Sequence, residues 1–224
     1  MKRLSIILFL VFTFRLVTKA QDNNRFREDI QTILKYDEMY QPQAYPIVFT
    51  GSSSIRKWDD LERDFAVYRA INRGVGGTVI NDITFYAKEL IFNYKPRQVV
   101  IYVGENDLPD QLVTPDTILA KTVKLFHTIR ASLPEVPIAY ISIKPSPVRD
   151  QYAAKARAAN ALISKFLSKE KNAVFIDVYS LMLSKTGKSR PELFVSDRLH
   201  MNAQGYAIWY KAVKPFLISP PKGN

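Results

Sequence analysis

Short, uninterrupted apolar runs alternate along this chain with longer segments of helical periodicity. The apolar runs occupy residues 46–50, 67–71, 98–103, 137–143 and 173–178. Between them, apolar residues recur at helical spacing, as over residues 79–91 and 114–132. Brief apolar strands joined by amphipathic helices are typical of a parallel sheet that is buried on both faces. The sequence therefore predicts an α/β fold with a parallel sheet between layers of helices.

Helix signals add to this pattern. Further helices are predicted over residues 23–40, over the alanine-rich residues 150–170, and from Asn202 onwards. Thr114 and Pro115 are predicted to be the N-cap and the first residue of a helix that ends near Ser132. A hydroxyl can accept a hydrogen bond from the first turn, and proline has no N–H to lose there.

Polar or glycine-rich segments follow four of the predicted strands. They are residues 51–54, 74–77, 104–107 and 144–146. Ligands of parallel α/β sheets bind beyond the carboxyl ends of the strands. We therefore expect these four segments to meet at one edge of the sheet and to form the functional site.

The first of these segments contains three serines, which raises the question of a catalytic base. A serine hydroxyl attacks a carbonyl only with a base, a group that orients the base, and donors for the oxyanion. Of the two histidines, His127 lies between Lys124 and Arg130 at helical spacing, which predicts a surface position. His200 follows Asp197 by three residues and is the candidate base. The alternative is a helix-entry loop in which Asp197 is a cap and His200 has no role.

Four blocks, in a fixed order, resemble those of the SGNH, or GDSL-like, hydrolase family. They are Phe49-Thr50-Gly51-Ser52-Ser53, Asn72-Arg73-Gly74-Val75-Gly76-Gly77, Gly104-Glu105-Asn106-Asp107 and Asp197-Arg198-Leu199-His200. The first block differs from the nucleophile elbow of α/β-hydrolases, because Ile55 replaces the second glycine of that motif. The resemblance runs over residues 46–215. It implies a flavodoxin-like three-layer α/β/α sandwich with a five-stranded parallel sheet.

The resemblance also implies roles for particular residues. Ser53 would be the nucleophile, His200 its base, and Asp197 the residue that orients the base. The N–H groups of Ser53 and Gly77 and the amide of Asn106 would bind the oxyanion. Two adjacent hydroxyls compete with the nucleophile, Ser52 and Ser54, and alignment with the block favours Ser53. Ser52 stands where the family usually has aspartate, which indicates a subgroup.

No cofactor or metal is predicted. The chain has no cysteine and only two widely separated histidines, so metal-ligand spacing is absent from the sequence. No G-x-G-x-x-G follows a predicted strand, which argues against a dinucleotide-binding protein. Basic residues are dispersed without a nucleic-acid-binding motif, so nucleic acid is not expected as a partner. Lys144 and Arg149 are predicted to be solvated loop residues, or else contacts to an anionic or polyhydroxyl substrate.

The first twenty residues have the layout of a secretory signal peptide. Lys2 and Arg3 precede an apolar stretch over residues 4–14, and Ala20 supplies a small residue at the cut. The stretch is too short for a membrane anchor, since a span needs roughly 20 apolar residues. We predict a cleaved signal at residues 1–20, one domain at residues 21–224, and an exported protein that is periplasmic or secreted. Cleavage would lower the formal net charge from +11 to +7, because four basic residues and no acids are removed.

The function predicted by this combination is hydrolysis of a small-molecule or glycan ester. The leading hypothesis is a serine esterase that removes small acyl groups, above all acetyl, from a carbohydrate or similar polar carrier. A lysophospholipase or thioesterase is the alternative within the same chemistry. A catalytically inactive glycan-binding protein on the same fold is the alternative from another class. Acyl length, carrier and oligomeric state are left open by the sequence.

Overall fold

The computed structural model describes residues 25–220, and the predicted signal peptide lies outside this range. Within these residues five parallel strands form one sheet, in the order β2-β1-β3-β4-β5. The strands are β1 Ile47–Gly51, β2 Ala70–Gly74, β3 Gln98–Tyr102, β4 Ile138–Ile141 and β5 Ala173–Ile176. The chain thus crosses from β1 to one neighbour, β2, and then returns to add β3 on the other side of β1.

Helices cover both faces of the sheet. They are α1 Arg27–Tyr40, α2 Ser53–Arg56, α3 Leu61–Asp64, α4 Ile80–Phe85, α5 Ala87–Leu90, α6 Pro115–Ser132, α7 Ala153–Leu167 and α8 Ala203–Val213. Alternate residues of the buried strands point to opposite layers. Val99 and Ile101 pack with one apolar cluster, whereas Val100 and Tyr102 pack with the other. The predicted three-layer α/β fold is therefore confirmed.

Aromatic side chains support the layer beneath the first block. Trp58 meets Trp209 edge-to-face, with ring centroids 6.0 Å apart, and Tyr102 meets Trp209 at 4.7 Å. Phe49 stacks on Phe65 at 5.4 Å. Each of these side chains is almost completely buried. Burying a large apolar side chain stabilises the fold by about 1.5–3 kcal/mol, so this cluster anchors α8 and the chain that follows α2 to the sheet.

Helix α6 begins and ends as its sequence signals predict. Thr114 is the N-cap, and its hydroxyl accepts a hydrogen bond from the N–H of Thr117 at 3.2 Å. Pro115 occupies the first helical position. The predicted helix over residues 79–91 is instead divided into α4 and α5 by Tyr86. Residues 150–152 of the predicted alanine-rich helix belong instead to a 3-10 helix, Pro147–Tyr152, and α7 starts only at Ala153.

The predicted bounds of the second strand were wrong. Residues 67–71 were expected to be extended, but Ala66–Tyr68 is a 3-10 turn in which Val67 is 75% exposed. Arg69 then adopts a left-handed conformation and redirects the chain into β2. The strand continues through the polar pair Asn72 and Arg73 because their side chains have partners inside the protein. An apolar pattern alone does not detect a strand of this kind.

No helix among the described residues has the length and apolarity needed to cross a membrane.

Candidate active site

Ser53 lies at the carboxyl end of β1, as the first residue of the short helix α2. The turn before it leaves no space for side chains. Gly51 has φ +135°, and a Cβ added there would lie 1.8 Å from the carbonyl oxygen of Tyr102. The N–H of Ser52 donates to that same oxygen at 2.9 Å. The chain immediately before the serine is therefore locked to β3 by its backbone.

His200 lies within hydrogen-bond distance of both of its predicted partners. Its Nε2 is 3.0 Å from Ser53 Oγ, and its Nδ1 is 2.6 Å from Asp197 Oδ2. The structure thus brings together the three predicted residues, although Ser53 and His200 are 147 positions apart. The helix-entry alternative does not hold, because the N-cap of α8 is Asn202 and not Asp197.

Asp197 accepts hydrogen bonds with both carboxylate oxygens. Its Oδ1 accepts from the backbone N–H groups of Leu199 and His200, each at 2.9 Å. Burial acts to raise the pKa of Asp197, but the hydrogen bonds from His200 and Leu199 outweigh it and hold the pKa well below its ordinary value. The carboxylate is therefore ionised, and it accepts a hydrogen bond from the Nδ1–H tautomer of His200, which leaves Nε2 free to accept a proton.

The loop between these two residues is tightly folded. Arg198 has φ +58°, which is uncommon for a residue with a side chain. Val195 forms two backbone hydrogen bonds with this loop. Its N–H donates to His200 O, and its carbonyl accepts from Arg198 N, both at 2.9 Å. Asn202 closes the loop from the other side, by donating to Glu192 O at 2.8 Å. A strained conformation held by its surroundings is frequent at functional sites.

The predicted oxyanion donors lie on the segments that follow β1 and its two neighbours, β2 and β3. Asn106, after β3, donates from Nδ2 to the carbonyl of Thr78 at 3.0 Å, next to Gly77. Gly77 has φ +80°, and no described atom lies within 4 Å of the place where a Cβ would stand. Ser53 opens α2, where N–H groups have no acceptor within the helix. An amide with a second hydrogen and two backbone N–H groups are the kind of donor set that an oxyanion requires.

Comparisons with known proteins agree with this arrangement. The profile of the GDSL-like lipase/acylhydrolase family matches residues 44–208, a range that includes all four blocks and most of the chain. The chain belongs to this family. Ester hydrolysis is accordingly the chemistry that its membership supports.

Three solved structures illustrate how far the likeness to this GDSL-like chain extends. A GDSL-like lipase from Bacteroides thetaiotaomicron is 19% identical, with a TM-score of 0.73 over 84% of this chain and 97% of its own. A catalytic mutant of an acetylxylan esterase from Geobacillus stearothermophilus is 15% identical, with a TM-score of 0.63 over 79% and 96%. A carbohydrate esterase family 3 protein from Talaromyces cellulolyticus is 18% identical, with a TM-score of 0.63 over 77% and 95%. At these identities the likeness establishes the shared fold. No curated protein sequence gave a significant match.

The competing hydroxyls of the first block do not reach the histidine of this GDSL-like site. Ser52 and Ser54 are both buried, and the hydroxyl that meets His200 is that of Ser53. Ser52 Oγ has no hydrogen-bond partner among the described residues, so its hydroxyl does not replace the hydrogen bonding of an aspartate. His127 lies exposed on α6, as its spacing predicts.

Sequence reasoning missed the role of Asp107 in the third block. This buried carboxylate accepts from the N–H of Ile80 at 3.1 Å and from Lys121 Nζ at 2.7 Å. Burial raises its pKa, and Lys121 acts in the opposite direction. The contact ties the loop after β3 to the start of α4, just beyond Gly77. An acidic residue in the polar segment that follows a buried strand was the available signal.

The expectation for Lys144 was wrong in both of its forms. Its side chain is neither solvated nor available to substrate, because it is completely buried. The ammonium forms an ion pair with Glu105 at 2.9 Å. Burial without water is possible for a lysine only when such partners compensate its charge. Arg149 is half-buried, and its Nε has no hydrogen-bond partner in the described chain.

Proposed function

We propose that this GDSL-like protein is an exported serine esterase that removes small acyl groups, above all acetyl, from a carbohydrate or similar polar carrier. One observation carries the proposal: an unbroken hydrogen-bonded series from Asp197 through His200 to Ser53, with distances of 2.6 and 3.0 Å. This is the arrangement that serine hydrolases of unrelated folds use to activate a hydroxyl.

The reaction follows from these positions. Ser53 Oγ attacks the ester carbonyl and transfers its proton to His200 Nε2, while Asp197 stabilises the imidazolium. The tetrahedral oxyanion accepts hydrogen bonds from the N–H groups of Ser53 and Gly77 and from the Asn106 amide. The intermediate collapses, and the leaving alcohol takes the proton from His200. Water then attacks the acyl-serine with His200 as base, which releases the carboxylic acid and restores Ser53.

The choice of substrate rests on the relatives and on the sequence. Two structural neighbours are described as a carbohydrate esterase and an acetylxylan esterase, and both share the fold of this chain. The signal-peptide layout of residues 1–20 favours a substrate outside the cytoplasm. Detection of a processed N-terminus by mass spectrometry would test export.

One observation favours the alternative of a longer acyl or lipid ester. Val148 and Val195 are 47% and 43% exposed, and both adjoin the loop that carries His200, since the N–H of Val148 donates to Arg198 O at 3.3 Å. Exposed apolar residues beside the loop that carries the proposed base suit an apolar acyl chain.

A panel of esters separates these functions. Purified protein is assayed on p-nitrophenyl acetate, butyrate and octanoate and on acetylated sugars, together with its Ser53→Ala variant. Highest kcat/KM on acetyl esters, lost in the variant, supports the deacetylase. Highest kcat/KM on octanoate would replace it with the lipid-ester alternative. Ser52→Ala is the matched control, because that neighbouring hydroxyl has no partner among the described residues and its removal should leave activity within about threefold.

Asn106→Ala tests the oxyanion assignment. We expect kcat to fall about 100- to 1,000-fold, because one donor of the set is removed. KM should change little, since the donor binds charge that develops only in the transition state. Steady-state kinetics on the best ester measures both constants. A fall in kcat of less than about tenfold would show that the oxyanion donor lies elsewhere.

A further inference from the structure

A buried ion pair connects the segment that follows β3 to the loop that carries His200. Lys144 follows β4, and its side chain is completely shielded from solvent, while that of Glu105 is 5% exposed. The Lys144 ammonium lies 2.9 Å from Glu105 Oε1 and 2.7 Å from the carbonyl oxygen of Leu199. It also lies 5.3 Å from the centre of the Phe194 ring. The lysine therefore contacts the loop that carries His200 as well as the segment that follows β3.

Glu105 also has hydrogen-bond partners for both of its carboxylate oxygens. Its second oxygen accepts a hydrogen bond from the buried hydroxyl of Tyr102 at 2.8 Å, and Oε1 also accepts from Ser146 Oγ at 3.0 Å. A buried ion pair contributes little net stability, because desolvation offsets most of the attraction. A pair with so complete a set of hydrogen bonds is better explained by the geometry that it imposes than by the stability that it adds.

The positions of the two partners in the chain show what this geometry controls. Glu105 directly precedes Asn106, the proposed oxyanion donor, and Leu199 directly precedes His200, the proposed base. The ammonium lies between them and holds both neighbours at fixed distances. A shift of about 1 Å in a catalytic group can lower turnover by roughly 100-fold. A single cation thus links the residue before the proposed base with the residue before the proposed oxyanion donor.

We propose that Lys144, held by Glu105, is a positioning residue that fixes the loop of His200 relative to Ser53 and Asn106 through its hydrogen bond to the Leu199 carbonyl. This inference rests on the proposed serine-esterase function. Neither residue of the pair contacts the substrate: both act through the residues that do. Loss of the ammonium should therefore disturb the chemical step and leave the binding of substrate almost unchanged.

Lys144→Met is the first test, because methionine retains an unbranched side chain of similar length without charge or donor. We expect kcat to fall about 10- to 100-fold with KM within about threefold of the wild type. The rate of labelling by a fluorophosphonate should fall in parallel, since it reports activation of Ser53 by His200 for a reagent that needs no carrier. Glu105→Gln, which retains size and an acceptor, should lower both rates in the same direction by a smaller factor and is decisive if Lys144→Met does not fold.

Arg130→Met is the matched control for loss of a cation that holds backbone carbonyls. Arg130 donates to the carbonyls of Val136, Lys171 and Asn172, at the amino ends of β4 and β5 and thus at the opposite edge of the sheet. Its removal should lower the free energy of unfolding and leave kcat within about twofold.

Two results would overturn the inference, and they are distinguishable. A folded Lys144→Met protein that turns over ester and reacts with the fluorophosphonate at the wild-type rates removes the positioning role, while the proposed triad stands as long as Ser53→Ala is not labelled. A wild-type protein that is not labelled at all contradicts the proposed triad and, with it, this inference.

Discussion

Two segments that meet at the candidate site are held in place by different means. The nucleophile turn, residues 51–54, is almost wholly buried and is fixed by backbone contacts with β2 and β3. The triad loop, residues 195–200, lies largely at the surface. Besides its own backbone hydrogen bonds it is held by the side chain of Lys144 on the Leu199 carbonyl, and Asn202 holds the chain just before it at Glu192. The position of the nucleophile turn is a consequence of how β1 pairs with β2 and β3. That of the triad loop depends on a few individual residues.

This difference separates stability from activity. Gly74 lies so close to α2 that a Cβ added there would be 2.3 Å from Arg56 N. The conformation of the nucleophile turn therefore cannot change unless the sheet changes as well. In the triad loop, by contrast, the side chain of His200 forms hydrogen bonds with Ser53 and Asp197 alone among the described residues. We expect a side chain added at Gly51 or Gly74 to prevent folding, and substitutions in the loop to prevent catalysis in a folded protein.

Gly51→Ala has the largest expected effect. The new methyl group would lie 1.8 Å from the Tyr102 carbonyl oxygen, and φ +135° is unfavourable for alanine. We expect loss of soluble protein, or a free energy of unfolding lower by more than about 4 kcal/mol, measured by urea denaturation. Gly187→Ala is the control: its φ of +77° is also positive, but no described atom lies within 4 Å. It should cost only about 1–2 kcal/mol, and an equal loss at both positions would remove the role of packing.

His200→Gln is the counterpart in the triad loop. We expect kcat to fall on the order of 10⁵-fold, because the base is lost, while the free energy of unfolding stays within about 1 kcal/mol. Ester kinetics and urea denaturation of the same sample measure both. The control His127→Gln changes the other histidine, which is exposed on α6, and should alter neither. Unfolding of His200→Gln would show that the loop is as integral to the fold as the nucleophile turn.

Asn202→Ala tests whether side chains hold the triad loop. Asn202 caps α8 by accepting from the N–H groups of Gln204 and Gly205, and it also donates to Glu192 O. Loss of a cap costs about 0.5–2 kcal/mol, and we expect kcat to fall as well, by about three- to tenfold. The matched control is Thr114→Ala, which removes the cap of α6. It should lower the free energy of unfolding similarly without a change in kcat; equal kcat values for the two variants would contradict the idea.

The smallest expected effect concerns pH. Hydrogen bonds hold the pKa of Asp197 below its ordinary value of about 3.9. A carboxylate with a lowered folded-state pKa contributes stability above the unfolded-state value and loses it only as the pH falls through the folded-state value. Asp197 therefore does not titrate above about pH 4. A plot of log kcat/KM against pH should therefore show no contribution from Asp197 above about pH 4. A slope of two above about pH 4 in the wild-type protein, reduced to one in Asp197→Asn, would contradict this expectation.

Much of the fold was predictable because parallel strands buried on both faces leave continuous apolar runs in the sequence. The error at β2 shows where this fails, since Arg73 is buried inside the protein and pairs with Asp37 of α1. A polar strand residue of this kind is recognised only when its partner is known, and that partner is 36 positions away.

The candidate site was predictable through its order of blocks, and its supports were not. Ser53, Asp197 and His200 follow from the resemblance to the family, and the structure brings their side chains together. Lys144 was expected at the surface, because its sequence neighbours suggest a loop. The two hydrogen-bond partners of its ammonium lie 39 and 55 positions away, at Glu105 and Leu199. Contacts over such separations leave no periodic signal in a single sequence.

The order of the strands has a consequence for how such a protein can diverge. Because β1 lies between β2 and β3, the serine and the donors of both flanks are spaced by main-chain ladders, with Gly51 opposite Gly74 and Tyr102. Residues 110–112 and other exposed loops do not enter those ladders. A lineage can therefore exchange its loops and acquire new ester carriers while the apparatus that cleaves the bond is inherited unchanged.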